Sequence, residues 1–318
     1  MDRPPPDFRA LSARLGQDPL QVQGPGGNTS IKSGNVMWIK ASGTELAQAE
    51  RQEIFVAVDR AAALAEARGA GDGTCKAAVL DPEVSLRPSI ETTFHAALDW
   101  QVVAHTHSVA TLAHAISVEG RAAAREKLSG LAAAFAPYAK PGLPLTAEIL
   151  HRTRADTQVI VLENHGLICC GATVVEVADL LAEVERRLAL PVLRGHLVPE
   201  GPERPGFERC RESWIAFDPA ITALALGGSY YPDHVVFLGP ALPEKDHAAN
   251  PPAILEPGAG VYLRAGATSS QRAMVTCLAD CLARLPDGWT AEPIGSAAEA
   301  ELLNWDAEKY RQALAARQ

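Results

Sequence analysis

Apolar and polar positions follow two patterns along the first 190 residues. Short apolar runs bounded by Gly, Pro, Asp or Asn predict strands, and Ala-rich stretches with apolar residues at helical spacing lie between them. The predicted strands are Val36–Lys40, Ile54–Val58, Val102–His107 and Gln158–Leu162. This pattern predicts a mixed α and β domain.

The segment Thr173–Leu190 gives the clearest helix signal, because a Thr that can cap precedes apolar residues at helical spacing and Pro191 follows. From Pro191 to Arg211 the chain is rich in Pro, Gly and charge, which is typical of a connector. Beyond it, His234–Leu238 and Gly260–Leu263 are predicted strands and Ser269–Leu285 a predicted helix. We therefore predict a catalytic-type domain over residues 1–200 and a smaller C-terminal α+β unit over residues 201–318.

Composition and net charge limit the classes of binding partner that the chain is expected to have. The chain has 318 residues, 47% of them hydrophobic and 21% charged, which indicates a folded protein. The net charge is −9 without a basic run, so neither nucleic acid nor an anionic membrane is an expected partner. A small molecule is the expected partner instead.

The sequence was searched for a secretory signal and for a membrane-spanning segment. Residues 1–10 lack the apolar core of a secretory signal, and no run of about 18 apolar residues predicts a membrane span. The six cysteines show no paired-ligand spacing, and Cys169 and Cys170 lie in an apolar run, so we expect reduced, structural thiols. A cytoplasmic location is expected.

Three histidines form a candidate metal site. His105 and His107 are two residues apart in a predicted strand, so both side chains point to the same side. Spacing alone also fits two unrelated histidines. His165 follows another predicted strand, where loops commonly place functional groups. Three imidazoles suit zinc or another divalent ion with an open position for substrate.

Glu91 is a candidate base near that site. It lies in Arg87-Pro88-Ser89-Ile90-Glu91, where a proline turn leads into a predicted helix before the first histidine strand. An acid in a first helical turn is also stabilised by the helix macrodipole, so Glu91 has a purely structural interpretation as well. His95, four residues on, fits either the core or a position behind the metal ligands.

Two glycine-rich loops could bind an anion. The first is Gly24–Ser30, followed by Lys32, and the second is Ala41-Ser42-Gly43-Thr44. Glycine turns let backbone N–H groups converge on a phosphate or carboxylate. Hairpin turns alone would also explain these glycines.

These residues together resemble the class II aldolase/adducin family. Its motifs occur in order over residues 20 to 190, as Gly27-Asn28-Thr29-Ser30, Ser42-Gly43, Pro88-Ser89-Ile90-Glu91, His105-Thr106-His107 and Asn164-His165-Gly166. The resemblance implies an α/β (α+β) fold with a central, mainly antiparallel sheet flanked by helices. It also implies homotetramers with active sites between subunits. The short connection from Glu91 to His105 is more similar to rhamnulose-phosphate-type aldolases with extra C-terminal sequence.

The resemblance assigns roles to individual residues. It makes His105, His107 and His165 ligands of one divalent ion, expected to be Zn²⁺, and Glu91 the acid/base. The substrate's anionic end is then expected at Gly27, Asn28, Ser42, Gly43 and Ser89. Ile90 stands where those aldolases typically have a second hydroxyl, so altered phosphate recognition is expected. No clear counterpart of their proton-donating tyrosine follows His107, although Tyr138 is near in sequence, and residues after 200 receive no catalytic role.

The implied activity is that of a metal-dependent aldolase, a carbon–carbon lyase that cleaves a ketose, sugar phosphate or sugar acid through a metal-stabilised enediolate. Within the same fold, a sugar-phosphate 4-epimerase or a sugar-acid decarboxylase would use similar chemistry. An adducin-like, non-catalytic interaction module is the alternative of a different class. The three histidines favour an enzyme.

Overall fold

A seven-stranded sheet forms the centre of the molecule. The computed structural model describes residues 3–195, 199–244 and 251–316. The strands of the large sheet are β1 (Asn28–Ser33), β2 (Val36–Lys40), β3 (Phe55–Asp59), β4 (Val102–Thr106), β5 (Ala133–Ala136), β6 (Val159–Leu162) and β7 (Gly166–Gly171). Their order is β3-β2-β1-β4-β7-β6-β5, and every neighbouring pair is antiparallel except β5 and β6. The mainly antiparallel sheet is therefore confirmed.

The register of this sheet gathers distant segments at one end. Asn28 pairs with His105 across β1 and β4, so the start of β1 lies beside the end of β4. Leu162 pairs with Gly166 across β6 and β7, and the tight turn between them holds Asn164 at a φ of 55°. The first glycine-rich loop and the turn carrying His165 consequently meet at the end of β4.

Helices cover the sheet, as expected for a flanked architecture. In the first 190 residues they are α1 (Pro6–Gln17), α2 (Arg60–Ala65), α3 (Thr92–Ala97), α4 (Val109–Ala115), α5 (Val118–Lys127), α6 (Leu143–Arg152) and α7 (Val174–Leu188). Short 3-10 helices at Leu46–Gln48 and Lys76–Ala78 and a π-helical turn at Glu66–Ala70 complete this part. Alternate side chains of β4 enter different cores: Val102 packs with residues of α1 and α7, and Val103 with residues of α3 and α6.

The helix predicted from Thr173 is confirmed, and the structure shows why it begins there. Thr173 accepts a hydrogen bond from the backbone N–H of Glu176, whose carboxylate accepts one from the N–H of Thr173. Such a reciprocal capping box satisfies two backbone donors that the first turn leaves unpaired.

A smaller α+β unit follows, as predicted. Its three-stranded antiparallel sheet has the order β8-β10-β9. The elements are β8 (Phe207–Arg209), a 3-10 helix (Arg211–Phe217), α8 (Pro219–Gly227), α9 (Pro232–Leu238), β9 (Ala253–Glu256), β10 (Gly260–Arg264), α10 (Ser269–Arg284), α11 (Ser296–Leu303) and α12 (Asp306–Ala315). Val109, Leu112 and Ile116, in and just after α4, belong to the core of this unit, so its apolar core continues into the first part of the chain.

Two predictions of local structure were wrong. His234–Leu238 is not a strand but part of helix α9, which Pro232 opens in its first turn. All seven residues of α9 are buried, and a short run buried on every side carries no periodicity that separates helix from strand. Asn28, Thr29 and Ser30, predicted to end a glycine-rich loop, begin strand β1 (Asn28–Ser33). The other predicted strands and helices are confirmed to within two residues at either end.

The predictions for the cysteines and for the connector near residue 200 can be compared with the structure. All six cysteines are free, and five are buried, as expected of structural thiols. Part of the predicted connector, residues 196–198, lies outside the described residues, and the domain division near residue 200 stays a prediction. Among the helices of the described ranges, none combines the length and apolar character needed to cross a bilayer.

Candidate metal centre and active site

Three buried imidazoles converge at the end of β4. His105 lies in β4, His107 follows that strand directly, and His165 lies in the turn between β6 and β7. The Nε2 atoms of His105 and His107 are 3.2 Å apart, and one ring nitrogen from each of the three histidines lies within 4.8 Å of the others. The fold therefore brings the three predicted ligands together.

Two of these histidines, His105 and His165, present neutral nitrogen donors. Nδ1 of His105 donates a hydrogen bond to the carbonyl oxygen of Leu167 at 3.0 Å, so its Nε2 carries the lone pair. Burial lowers the pKa of His105 and lowers that of His165 to about 3. Ring nitrogens that converge on one point in this way fit a divalent cation.

Glu91 faces the same point. Its Oε2 lies 3.5 Å from Nε2 of His105, and its Oε1 lies 3.4 Å from Nε2 of His165. Burial alone would raise the pKa of Glu91, but the facing histidines and the Asn28 amide outweigh burial and lower it. Glu91 occupies the N-cap position of α3 without a side-chain capping bond. The carboxylate therefore serves the histidine cluster and does not cap the helix.

A chain of hydrogen bonds holds Glu91 from behind. Nδ2 of Asn28 donates to Oε2 of Glu91 at 2.7 Å and to Oγ of Ser89 at 3.2 Å. Nε2 of His95 donates to Oδ1 of Asn28, so Nδ1 of His95 accepts from Oγ of Ser30 at 2.8 Å. The sequence left the role of His95 open. In the structure His95 orients Asn28, and Asn28 in turn orients Glu91.

The residues predicted to bind an anion line the cavity beside Glu91. These are Gly27, Asn28, Ser42, Gly43 and Ser89. Oγ of Ser89 accepts from the Asn28 amide and from the N–H of Glu91, which leaves its own hydrogen available to donate outward. Both amide hydrogens of Asn28 are already engaged, so Asn28 contributes mainly by fixing Glu91.

Three charged lining residues were not identified from the sequence: Lys40, Asp233 and Arg311. Lys40 donates from Nζ to the carbonyl oxygens of Pro25 at 2.8 Å and Thr44 at 2.6 Å, and burial lowers its pKa to about 7. Asp233 and Arg311 come from α9 and α12, so the C-terminal unit closes one side of the site. Lys40 and Asp233 are single charges beside apolar runs, and Arg311 is one of several charges in α12. None of these patterns shows where the charge lies in the fold.

A larger cavity continues from the site. It measures about 580 Å³, and Ser42, Ile90 and Pro141 line both spaces. Trp305 and Tyr310 of the C-terminal unit form part of its wall. Tyr138 does not line the cavity at the histidines, and burial raises the pKa of its hydroxyl to about 12.

Three imidazoles beside a carboxylate, at the edge of a mainly antiparallel sheet with helical cover, form a cluster in an α/β protein that could hold one divalent metal ion. The model of the class II aldolase and adducin N-terminal domain matches residues 10–191. The chain belongs to this family. The match ends before Asp233 and Arg311, which lie in the part that closes the site.

Individual proteins are similar to parts of this chain. The chain is 29% identical over 175 residues to the uncharacterized oxidoreductase YuxG of Bacillus subtilis (strain 168), a match that covers 50% of this chain and 25% of that protein. The chain thus matches about a quarter of the length of the curated relative. It is also similar to the N-terminal class II aldolase domain of a conserved protein from Thermoplasma acidophilum, with a TM-score of 0.52 and 27% identity over 59% of this chain and 93% of the other. L-fuculose-1-phosphate aldolase from Thermus thermophilus aligns with 15% identity and a TM-score of 0.39, covering 57% of this chain and 92% of that one.

Proposed function

We propose that this protein is a class II, metal-dependent aldolase, a carbon–carbon lyase acting on a small carbohydrate. The observation that carries the proposal is the convergence of the Nε2 atoms of His105 and His107, 3.2 Å apart, with both carboxylate oxygens of Glu91 within 3.5 Å of histidine nitrogens. A non-catalytic interaction module has no need for such a buried donor set. Family membership supports the same conclusion.

His105, His107 and His165 are the proposed ligands of one divalent ion. When bound, the ion supplies a Lewis acid that stabilises negative charge developing on a substrate carbonyl oxygen, an effect worth several kcal/mol of barrier. Nitrogen ligation by three neutral imidazoles supports zinc as that ion.

Glu91 is the proposed acid/base. Asn28 donates to Oε2 of Glu91, whereas Oε1 has no hydrogen-bond partner among the described residues. Oε1 is therefore the oxygen that takes a proton from the substrate and returns it, while Asn28 keeps the carboxylate oriented. Because the side chain is only 4% exposed, bulk water does not compete for that proton.

The substrate is proposed to bind through an anionic end. Ser89 can donate its hydroxyl hydrogen, and Ser42, Gly43 and Lys40 line the same wall. The cavity of about 580 Å³ beyond Ile90 offers space for the part of the substrate away from the reacting carbons. Ile90 itself cannot donate to a phosphate, which leaves a carboxylate as a second possible anion.

Two further proposals rest on the sequence. A homotetramer and a cytoplasmic location are both proposed from the resemblance to the class II aldolase/adducin family. Sedimentation analysis tests the first, and fractionation of the native cell tests the second.

The test of function is a product assay on chain of known metal content. Phosphorylated and unphosphorylated ketoses and sugar acids are offered, and aldehyde and carbonyl fragments are measured with and without prior chelation. The proposal expects cleavage of at least one ketose or sugar acid that is lost on chelation and restored by Zn²⁺ or another divalent ion. An isomeric product points to the epimerase alternative and carbon dioxide to the decarboxylase; full activity after complete metal removal contradicts the proposal.

A further inference from the structure

A carboxylate of the C-terminal unit reaches one of the proposed metal ligands. Asp233, the second residue of α9, is 2% exposed, and its Oδ2 lies 3.3 Å from Nδ1 of His107. We propose that Asp233 is a positioning residue: it accepts the Nδ1–H of His107 and so keeps Nε2 of that ring as the atom directed at the ion. This inference rests on the proposed metal site and assigns a role to residues beyond the family match.

The geometry of the ring separates this role from direct ligation. Nδ1 of His107 faces Asp233, whereas Nε2 faces His105 at 3.2 Å. Since the two nitrogens lie on different sides of one imidazole, the ring stands between the carboxylate and the point of convergence. Asp233 therefore acts on the metal site only through His107.

His105 provides an internal comparison. Its Nδ1 is held by the carbonyl oxygen of Leu167 in β7, so the main sheet fixes this ring. Among the described contacts, no acceptor of the main sheet faces Nδ1 of His107. Oδ2 of Asp233, in α9, lies in that position instead. Acceptors behind metal-binding imidazoles fix the tautomer and ring orientation and raise the basicity of the ligand.

Arg311 holds Asp233 in place. Its Nη2 lies 2.9 Å from Oδ1 of Asp233, and its Nη1 donates to Oε2 of Glu308 at 2.9 Å. The guanidinium thus binds one oxygen of Asp233 and leaves Oδ2, which has no hydrogen-bond partner of ordinary geometry in the described part of the chain, facing Nδ1 of His107 at 3.3 Å. Arg311 is buried between the two carboxylates, so its single positive charge offsets part of their negative charge without screening by solvent.

The first glycine-rich loop packs tightly on this pair. A Cβ atom at Gly26 would lie 2.7 Å from Oδ2 of Asp233 and 2.8 Å from Nδ1 of His107. Both distances are well below normal contact. Only glycine therefore fits at position 26 while Asp233 and His107 are paired. The loop therefore encloses the pair and keeps water away from it.

The experiment measures metal affinity in the full chain. Asp233→Asn and the control Glu212→Gln, which removes another buried carboxylate of the same unit away from the site, are compared with the native chain by Co²⁺ and Zn²⁺ competition against a chromophoric chelator. Loss of a partner behind a ligating histidine predicts about 10- to 100-fold weaker binding in Asp233→Asn. The metal affinity of the control Glu212→Gln is expected to stay within about twofold of the native value. A folded Asp233→Asn chain with native affinity overturns the inference and leaves the proposed function standing, whereas a native chain without metal affinity contradicts the proposed function.

A second measurement needs neither metal nor a folded Asp233→Asn chain. In metal-free native chain with ¹⁵N-labelled histidine, the ring nitrogens of His107 are assigned by comparison with His107→Gln, and their protonation is determined at pH 8. The inference expects the proton on Nδ1. A proton on Nε2 overturns it even if Asp233→Asn does not fold.

Discussion

The side-chain amide of Asn28 donates a 2.7 Å hydrogen bond to Oε2 of Glu91, which ties the first residue of β1 to the residue that precedes α3. The bond determines which carboxylate oxygen remains able to accept a proton. The start of β1 and the proposed acid/base Glu91 thus form one unit, and a change in either is expected to affect both.

Replacing Glu91 by Gln is expected to lower turnover by about 100-fold or more, because the amide keeps the size of the side chain but cannot take a proton. Stability should change little, since Glu91 makes no capping bond. Turnover of the metal-loaded variant and its melting temperature are the measurements, with Glu299→Gln as a buried control outside the site. Near-native turnover in a metal-replete variant would exclude Glu91 as the base.

His165→Ala should lose stoichiometric metal, because it removes one of three converging nitrogens. His114→Ala is the matched control: His114 is equally buried, but its Nδ1 donates to the carbonyl oxygen of Ala110 away from the cluster. Elemental analysis after dialysis measures both. Equal metal content in the two variants would contradict the three-histidine site.

Ser89→Ala is expected to reduce kcat/KM for an anionic substrate by about 10-fold, the cost of one hydrogen bond to a charged group. The loss for the uncharged analogue should be clearly smaller, because the hydroxyl hydrogen of Ser89 is the donor available to an anion. Specificity constants for both substrates in native and variant enzyme give the comparison. Equal losses would place the anion elsewhere.

Lys32→Met is expected to stabilise the protein in a manner that depends on pH. Burial lowers the pKa of Lys32 from 10.5 to about 7, and its Nζ donates to the carbonyl oxygen of Trp100. Between those values the unfolded chain holds a proton that the native chain does not, so this group makes native stability rise with pH. The advantage of Lys32→Met should therefore be largest below pH 7, on the order of 5 kcal/mol, and vanish towards pH 10.5.

Denaturant unfolding of native chain and Lys32→Met at about pH 6, 8 and 10 spans the range over which the two states differ in bound protons and provides this measurement. Lys309→Met, at an exposed site on α12, is the control and should show no such trend. A stability difference that stays constant over this range would show that Lys32 keeps its ordinary pKa.

Gly43→Ala should destabilise the protein more than Gly34→Ala. Both glycines have positive φ, which costs an L-residue about 1 to 2 kcal/mol. A Cβ at residue 34 meets open space, whereas one at residue 43 would lie 2.4 Å from Cδ1 of Leu314 in α12. We expect about 1 kcal/mol or more of additional loss at residue 43. Equal melting temperatures for the two variants would mean that α12 does not pack on this loop.

The sequence was sufficient where chemistry depended on local spacing. His105 and His107 share a side because they are two apart at a strand end, and the turn that carries His165 lies beside β4 because the sheet is antiparallel there. The sequence did not reveal Asp233, whose role depends on where α9 packs against the first domain. A buried run such as α9 has no polar face from which its orientation, or even its helical state, could be inferred.

The dependence of His107 on Asp233 has a consequence for biosynthesis. The three histidines and Glu91 leave the ribosome long before α9 and α12, and domains generally fold in the order of their synthesis. Contacts between segments so far apart form late, because closing a long loop must precede any gain from the contact. A nascent chain is therefore expected to capture its ion weakly and to retain it firmly only after the last helix has docked.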